Sequence, residues 1–264
     1  MLDKKQRYLQ IALNSTLDEA RSIINQIPLD KRIIIEAGTP LIKAYGVEAI
    51  KVIRIWWEQR IFGYNYGNLK TLKTEPSLLS FLIKYLEKKK NEKQKREFSE
   101  KEKVAFVPYI VADLKCMDRG VREVEIAKAG GANAVTALGQ APIETLDAFI
   151  EKCEKYNLEA MIDMMNVGFP LNVLRQLKKL PQVVILHRGV DEEVFNPEKE
   201  IPFHEIQRIK SDYDIMVSVA GGDTFQEVQR AIFNDADIVV VWKSFYRSTT
   251  DTAKLAQEFL REIR

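Results

Sequence analysis

The 264-residue sequence predicts an α/β protein folded as a closed (β/α)8 barrel, the TIM-barrel class. The first observation is that short apolar, β-rich runs alternate with amphipathic segments along almost the whole chain. The second is that the predicted strands are apolar throughout, which is typical of parallel strands with both faces covered. The third is that eight such strand–helix pairs fit the roughly 250 residues that one barrel needs.

The elements follow one another in regular order. Strands are predicted near residues 8–13, 32–36, 107–113, 133–137, 159–163, 182–187, 214–219 and 238–242. Each is followed by a predicted helix, near residues 17–26, 45–57, 119–129, 142–156, 170–179, 202–211, 224–234 and 251–263. The alternative is a doubly wound open sheet, which usually has fewer strands and a glycine-rich turn after the first. No G-x-G-x-x-G pattern occurs here, so we expect one barrel domain over residues 1–264.

A long segment interrupts this alternation. Residues 58–106 separate the second predicted helix from the third strand by far more than the usual few residues. Their later part, residues 77–103, is predicted as one or two charged helices, and its mixed lysines and glutamates favour a solvated surface over nucleic acid binding. A helix-to-strand connection emerges at the barrel face opposite the active site, so we expect this helical insertion to serve oligomer contacts or stability.

Composition excludes several classes of protein. The chain is 46% hydrophobic and 30% charged with a formal charge of +2, which gives no electrostatic case for nucleic acid or an anionic membrane. No apolar run approaches the roughly 20 residues of a membrane span, and the first residues lack a signal-peptide core. The two cysteines, Cys116 and Cys153, have no metal-binding spacing, which favours reduced thiols. We therefore expect a cytoplasmic protein.

The third predicted strand ends in a cluster of charged residues: Asp113, Lys115 and Asp118. Side chains alternate along a strand, so Asp113 and Lys115 point to the same side. Such charges are costly to bury unless they pair with each other or act on a ligand. Because active sites of these barrels lie at the carboxyl ends of the strands, we predict that the three residues are catalytic.

The other strands also end in polar residues. The candidates are Asn14 after the first strand, Glu36 after the second, Asp163 after the fifth, His187 and Arg188 after the sixth, Gly221 and Gly222 after the seventh, and Lys243 after the eighth. A purely structural core would bury apolar side chains at most of these points, so their convergence favours an enzyme. Asp163 could equally be a turn residue, and the two glycines could serve a tight turn rather than the approach of an anion.

These segments resemble the orotidine-monophosphate decarboxylase superfamily. The closer likeness is to its branch containing 3-hexulose-6-phosphate synthase and 3-keto-L-gulonate-6-phosphate decarboxylase. The segments that carry it are 9–13 (LQIAL), 36–42 (EAGTPLI), 112–118 (ADLKCMD), 187–191 (HRGVD) and 219–222 (VAGG). At position 163 the chain resembles the synthase more closely, because it has an aspartate where the decarboxylase carries a glutamate. The likeness covers nearly the whole chain except residues 58–106.

The resemblance implies an aldehyde-lyase that condenses formaldehyde with ribulose 5-phosphate, or runs the reverse reaction, through a magnesium-stabilised enediolate. Glu36 and Asp113 would hold the magnesium ion, which takes oxygen ligands. His187 would move the proton, and Lys115, held between Asp113 and Asp118, would stabilise the enediolate oxygens. Asp118 would reach into a neighbouring subunit's site, so the resemblance implies a homodimer.

The resemblance also implies the groups that would bind the sugar phosphate. They are Asn14, Asp163, Arg188, Gly221, Gly222 and Lys243.

The chain departs from the family's pattern at three places. Asn14 stands where the first strand usually ends in aspartate, and Trp242-Lys243 stands where the eighth usually ends in Gly-Arg. Asp223 follows the two glycines, where it would repel a phosphate or cap a helix starting at Thr224. Two alternatives therefore remain open: a non-catalytic paralogue acting as a binding or regulatory subunit, and a decarboxylase or lyase of the superfamily acting on another sugar phosphate.

Overall fold

The computed structural model describes residues 1–63, 106–247 and 251–263. Its strands are β1 (Tyr8–Leu13), β2 (Ile33–Ala37), β3 (Ile110–Cys116), β4 (Ala134–Leu138), β5 (Glu159–Asp163), β6 (Val183–His187), β7 (Met216–Ala220) and β8 (Ile238–Val241). Its helices are α1 (Leu17–Gln26), α2 (Thr39–Tyr45), α3 (Val47–Phe62), α4 (Gly120–Gly130), α5 (Ile143–Tyr156), α6 (Pro170–Leu174), α7 (Val190–Phe195), α8 (His204–Asp212), α9 (Phe225–Phe233), α10 (Lys243–Arg247) and α11 (Thr252–Glu262).

The eight strands form a closed barrel in which every strand is parallel to its neighbours in chain order. β1 closes the barrel by pairing with β8, with Gln10 opposite Val240. The prediction of a (β/α)8 barrel is therefore confirmed. All strands start at one face of the barrel and end at the other, so the strand-end residues collect at a single rim.

The alternation of side chains along each strand divides the buried residues into two layers. One face of β1 (Leu9, Ile11, Leu13) packs with the helices in the larger apolar cluster. The other face contributes Tyr8 and Ala12 to a smaller cluster inside the barrel, together with residues of the other seven strands. Polar side chains that continue this inner layer toward the carboxyl ends of the strands therefore face the barrel mouth.

Several boundaries differ from those predicted. The third strand does not end at Asp113 but runs on to Cys116, with an irregular register against β4 between Ala112 and Cys116. Three short helices (α2, α7 and α10) follow β2, β6 and β8 before the longer helices and were not predicted. The fifth predicted helix, 170–179, is only the short α6. Short polar rim segments such as these lack the length for a clear helical period.

The insertion starts later than predicted. Helix α3 continues through Phe62, so residues 58–62 belong to the barrel's outer layer, in which Ile61 is buried. Phe106, which precedes β3, packs its ring edge-on against Trp57 with the ring centroids 6.0 Å apart. The predicted charged helices at 77–103 lie outside the described residues. Among the helices that are described, none is long and apolar enough to cross a membrane.

Candidate active site

A cavity of about 340 Å³ opens at the carboxyl ends of the strands. Every strand, or the loop directly after it, contributes to its wall. The predicted site residues on this wall are Asn14, Glu36, Asp113, Lys115, Asp163, His187, Arg188, Gly221 and Lys243. The barrel thus brings together residues that lie up to 229 positions apart in the sequence, counted from Asn14 to Lys243.

Asp113 is buried and fixed through both carboxylate oxygens. Thr39, the first residue of α2, donates its hydroxyl to Oδ2 at 2.8 Å, and Thr136 of β4 donates its hydroxyl to Oδ1 at 2.5 Å. The Thr136 hydroxyl also accepts the backbone N–H of Lys115 at 3.1 Å. Two neighbouring strands and a helix therefore set the direction in which this carboxylate faces the cavity.

Lys115 occupies the irregular end of β3. Its φ of 45° is in the left-handed region, and the register of β3 against β4 shifts at this point, which re-aims the side chain. Its ammonium lies 3.1 Å from Asp113 Oδ2 and 2.9 Å from Asp163 Oδ2. Burial opposes its charge, but the two carboxylates raise the pKa of Lys115 above its usual value. The lysine is therefore a permanent cation in the cavity.

Asp163 links this lysine to the histidine. Its Oδ2 lies 2.7 Å from His187 Nδ1, and its Oδ1 accepts the backbone N–H of Met165 at 2.9 Å. Although burial favours the neutral acid, His187 and Lys115 hold the pKa of Asp163 well below its ordinary value. An ionised carboxylate only accepts hydrogen bonds, so Nδ1 of His187 carries a proton. Nε2 is then the ring nitrogen left for a ligand.

The same contact changes the titration of His187. Burial opposes the charged ring, yet the adjacent Asp163 raises the pKa of His187 above 6.5. The imidazole is therefore held close to a buried carboxylate that favours its protonated form. This is the arrangement of a group that can take up a proton and return it.

Glu36 lies on the inner face of β2 and is also buried. Burial, reinforced by the charge of Asp113, raises the pKa of Glu36 to about 7. Its Oε2 accepts the amide of Gln10 at 2.5 Å, while the buried Oε1 of Gln10 has no hydrogen-bond partner among the described residues. Two buried carboxylates beside an unused amide oxygen make a set of oxygen donors suited to a hard cation.

Asn14 follows β1 at the rim. Its backbone N–H donates to the Tyr246 hydroxyl at 3.0 Å, and a Cβ added to Gly38 would come within 1.7 Å of its side-chain oxygen. A side chain at position 38 would therefore push the Asn14 amide out of its place. Asn14 lies on the cavity wall, where its amide carries no charge.

The loops after β6, β7 and β8 form the opposite wall. Arg188 donates to Gly221 O at 2.8 Å and to Glu227 Oε1 at 2.9 Å, and Lys243 Nζ lies 2.5 Å from Glu193 Oε2. Gly221 has a φ of 90°, and a Cβ there would lie 2.1 Å from the carbonyl oxygen of Arg188. Glycine is needed at this position for both reasons.

Asp223 does not cap the helix after β7 as one alternative expected. Thr224 is the N-cap of α9, and Glu227 completes a capping box with it. The carboxylate of Asp223 instead accepts the backbone N–H groups of Trp242 at 2.6 Å and Lys243 at 3.1 Å.

The sequence of residues 88–258 matches the family described as "Orotidine 5'-phosphate decarboxylase / HUMPS family". The chain belongs to this family. The predicted resemblance is thereby confirmed. The site residues from Asp113 to Lys243 lie within the matched segment, whereas Asn14 and Glu36 precede it.

Relatives of known sequence agree with this assignment. The chain is 31% identical over 257 residues to the "Bifunctional enzyme Fae/Hps" of Methanocaldococcus jannaschii, over 97% of this chain and 52% of that protein. It is 32% identical over 258 residues to the protein of the same name from Methanosarcina barkeri, again over 97% and 52%. The chain spans about half the length of these curated relatives.

Solved structures share the fold. The 3-hexulose-6-phosphate synthase of Salmonella typhimurium superposes with a TM-score of 0.70 at 23% identity, over 97% of this chain and 98% of that one. The structure of KGPDC from Streptococcus mutans gives a TM-score of 0.67 at 18% identity, over 98% and 97%. At these identities the likeness concerns the barrel alone.

Two predicted site residues lie off the wall of this chain's own cavity. Asp118 is exposed beyond the end of β3, where its carboxylate accepts the backbone N–H of Arg119 at 2.7 Å. Within this chain Lys115 lies between Asp113 and Asp163, and the contact expected between Asp118 and the lysine of a neighbouring subunit stays a prediction. Gly222 follows Gly221 in the loop after β7, next to Glu227 rather than on the cavity wall.

Sequence reasoning also missed several residues of the site. Gln10 is polar in an otherwise apolar strand, which was a usable signal for an inward-facing functional side chain. Thr39 lies within the segment 36–42, but nothing in that pattern indicates that its hydroxyl holds Asp113. Glu193 and Glu227 were not considered because their partners are reached only through the folded loops.

Proposed function

We propose that this chain is an aldehyde-lyase of the hexulose-phosphate-synthase kind, which condenses formaldehyde with ribulose 5-phosphate or runs the reverse reaction. The observation that carries the proposal is the continuous chain of contacts from Asp113 through Lys115 and Asp163 to His187. It places a fixed ammonium and a proton-accepting imidazole on one cavity wall. Membership of the family and the likeness to the Fae/Hps proteins support this reading.

The carboxylates of Glu36 and Asp113 fit a magnesium ion, since Mg²⁺ is commonly bound by one or two carboxylates together with water and substrate oxygens. Among the described residues, no cluster of three or more His, Cys, Asp or Glu side chains forms a fuller ligand set. When bound, the ion would act as a Lewis acid toward the carbonyl and hydroxyl oxygens of the ketose. Gln10, Thr39 and Thr136 would keep the two carboxylates oriented toward it.

The protein's own groups account for the proton transfer. Nε2 of neutral His187 removes a proton from C1 of the ketose, and the C–H electron pair forms the enediolate. The ammonium of Lys115 stabilises the negative charge that develops on the enediolate oxygens, in a buried setting where such stabilisation is strong. Asp163 stays ionised and stabilises the imidazolium that results.

Carbon–carbon bond formation follows from this state. C1 of the enediolate attacks the carbon of formaldehyde, whose carbonyl π electrons move to its oxygen. That oxygen takes the proton back from Nε2 of His187, which restores the neutral ring. The reverse sequence cleaves the same bond and releases formaldehyde.

The test is to incubate the purified protein with ribulose 5-phosphate, formaldehyde and magnesium. Formaldehyde consumption and exchange of the C1 proton with solvent deuterium are expected, and both should be lost in His187→Asn. The matched control is His204→Asn, because His204 is the only other histidine and lies exposed on α8. A folded wild-type protein that performs neither reaction contradicts the proposal and favours the non-catalytic paralogue.

We also propose that the protein is a homodimer with shared sites. Asp118 is exposed at the end of β3 and unused by its own cavity, so it is available to a second subunit. A mixture of Asp118→Asn and Lys115→Met variants, dissociated and reassembled, should recover activity that neither variant has alone. Recovery is expected because one site of each mixed dimer would carry both substitutions, while the other site would have neither and would be active. A monomeric protein, or no recovery in mixed dimers, contradicts this arrangement.

A further inference from the structure

The wall formed by the loops after β6, β7 and β8 carries groups that suit an anion. They are the guanidinium of Arg188, the ammonium of Lys243 and the two backbone N–H groups of Trp242 and Lys243. In barrels of this class, the loops after the seventh and eighth strands are the frequent site for a phosphate group. In this protein each of these groups is already paired with a carboxylate of the chain itself.

Asp223 holds the two backbone N–H groups. Its Oδ1 accepts from Trp242 at 2.6 Å and its Oδ2 from Lys243 at 3.1 Å, so each oxygen of the carboxylate takes one amide. The backbone of the same residue is fixed as well, because its carbonyl oxygen accepts the Ser244 hydroxyl at 2.8 Å. The carboxylate also lines the cavity. It therefore stands where an external anion would make the same contacts.

The two cationic side chains are paired in the same way. Lys243 Nζ meets Glu193 at 2.5 Å, and Arg188 meets Glu227 at 2.9 Å. The side chains of Lys243 and Arg188 are only 14% and 12% exposed, whereas their partners Glu193 and Glu227 are 34% and 23% exposed. Glu193 and Asp223 line the cavity together with the two cations, so the formal charges of these four residues cancel. A phosphate dianion entering here would have to displace Asp223 from the two backbone N–H groups and compete with Glu193 and Glu227 for the two cations.

We propose that Asp223 is a specificity-determining residue that occupies the anion position of the cavity, so that a phosphate ester binds only by displacing it. The inference deepens the proposed function. It rests on that function only in taking a sugar phosphate as the ligand that displaces Asp223. A purely structural tie between the β7 and β8 loops would leave phosphate affinity independent of this side chain.

The test measures binding rather than turnover. Inorganic phosphate and ribulose 5-phosphate are titrated calorimetrically into wild type and Asp223→Asn, without formaldehyde. Asparagine keeps the size of the side chain, loses its charge and adds a donor, so we expect at least tenfold tighter binding of both ligands. The matched control is Asp237→Asn, which alters a buried carboxylate that accepts a backbone N–H from Val217 at 2.7 Å just before β8 begins. It should leave phosphate affinity unchanged.

A second variant keeps the inference testable if Asp223→Asn does not fold. Glu193→Gln frees the ammonium of Lys243 without touching the amide contacts, so a smaller gain of about threefold is expected. Equal phosphate affinity in wild type and every folded variant of the pair overturns the inference. If the variants bind phosphate more tightly but the wild-type protein consumes no formaldehyde, this inference is supported and the proposed function is contradicted. The two proposals can therefore fail separately.

Discussion

The contact between Asp163 and His187 allows a direct test of the electrostatics of the site. The Asp163 side chain is 2% exposed, and its Oδ2 lies 2.7 Å from His187 Nδ1. A hydrogen bond to a charged group contributes about 1.5–3 kcal/mol, and each pKa unit corresponds to about 1.4 kcal/mol. Replacing Asp163 by Asn should therefore lower the pKa of His187, because the protonated ring loses a contact worth about 1.5–3 kcal/mol.

The measurement is an NMR titration of the two histidine rings. In wild type the His187 ring should titrate above 6.5, because Asp163 raises its pKa despite burial. His204→Gln removes the only other histidine signal and so assigns the resonance of His187. Asp237→Asn, a buried aspartate paired with Lys210 before β8, controls for general destabilisation and should leave the pKa of His187 unchanged.

The same contact predicts how stability depends on pH. His187 has a higher pKa in the folded than in the unfolded chain, so its contribution is fully present below about 6.5 and is lost as pH rises through the folded pKa. The gap in unfolding free energy between wild type and Asp163→Asn should therefore narrow over that range. The part of this free-energy difference that comes from the ion pair of Asp163 with Lys115 should persist at higher pH, because the Lys115 ammonium stays charged. A wild-type His187 pKa at or below 6.5, or one that Asp163→Asn leaves unchanged, refutes the reasoning.

Three further predictions follow from single contacts. Lys115→Met should lower kcat for formaldehyde consumption by roughly 10²–10³, since it removes the cation facing the enediolate; a loss below tenfold contradicts that role. Thr136→Val should raise the magnesium concentration for half-maximal activity about tenfold, because Asp113 loses a 2.5 Å hydrogen bond; an unchanged magnesium dependence argues against Asp113 as a ligand. Trp57→Ala should lower the unfolding free energy in urea by about 3–5 kcal/mol, because this fully buried ring packs on Phe106. A loss below 1 kcal/mol would contradict this expectation, because it would mean that neighbouring side chains fill the space left by the ring.

The site could be predicted from sequence where it depends on strand ends. Glu36, Asp113, Lys115 and His187 each follow or end an apolar run, and the barrel brings all such ends to one rim. Their pairing could not be predicted in the same way. Lys115 was expected between Asp113 and Asp118, but within this chain the irregular end of β3 turns its side chain toward β5. That direction depends on a positive φ and a register shift, which no local pattern signals.

The sequence by itself determined the fold class, because hydrophobic periodicity is a local property that eight strand–helix pairs repeat. It also determined which residue types meet at the rim, since parallel strands have all their carboxyl ends on one side. Only the tertiary structure decided which charges pair. Asp223 contacts the amides of Trp242 and Lys243 across two loops, so its place on the cavity wall follows from how β7 and β8 are packed. Pair geometry of this kind depends on distances of a few tenths of an ångström, which the order of residues in the chain does not set.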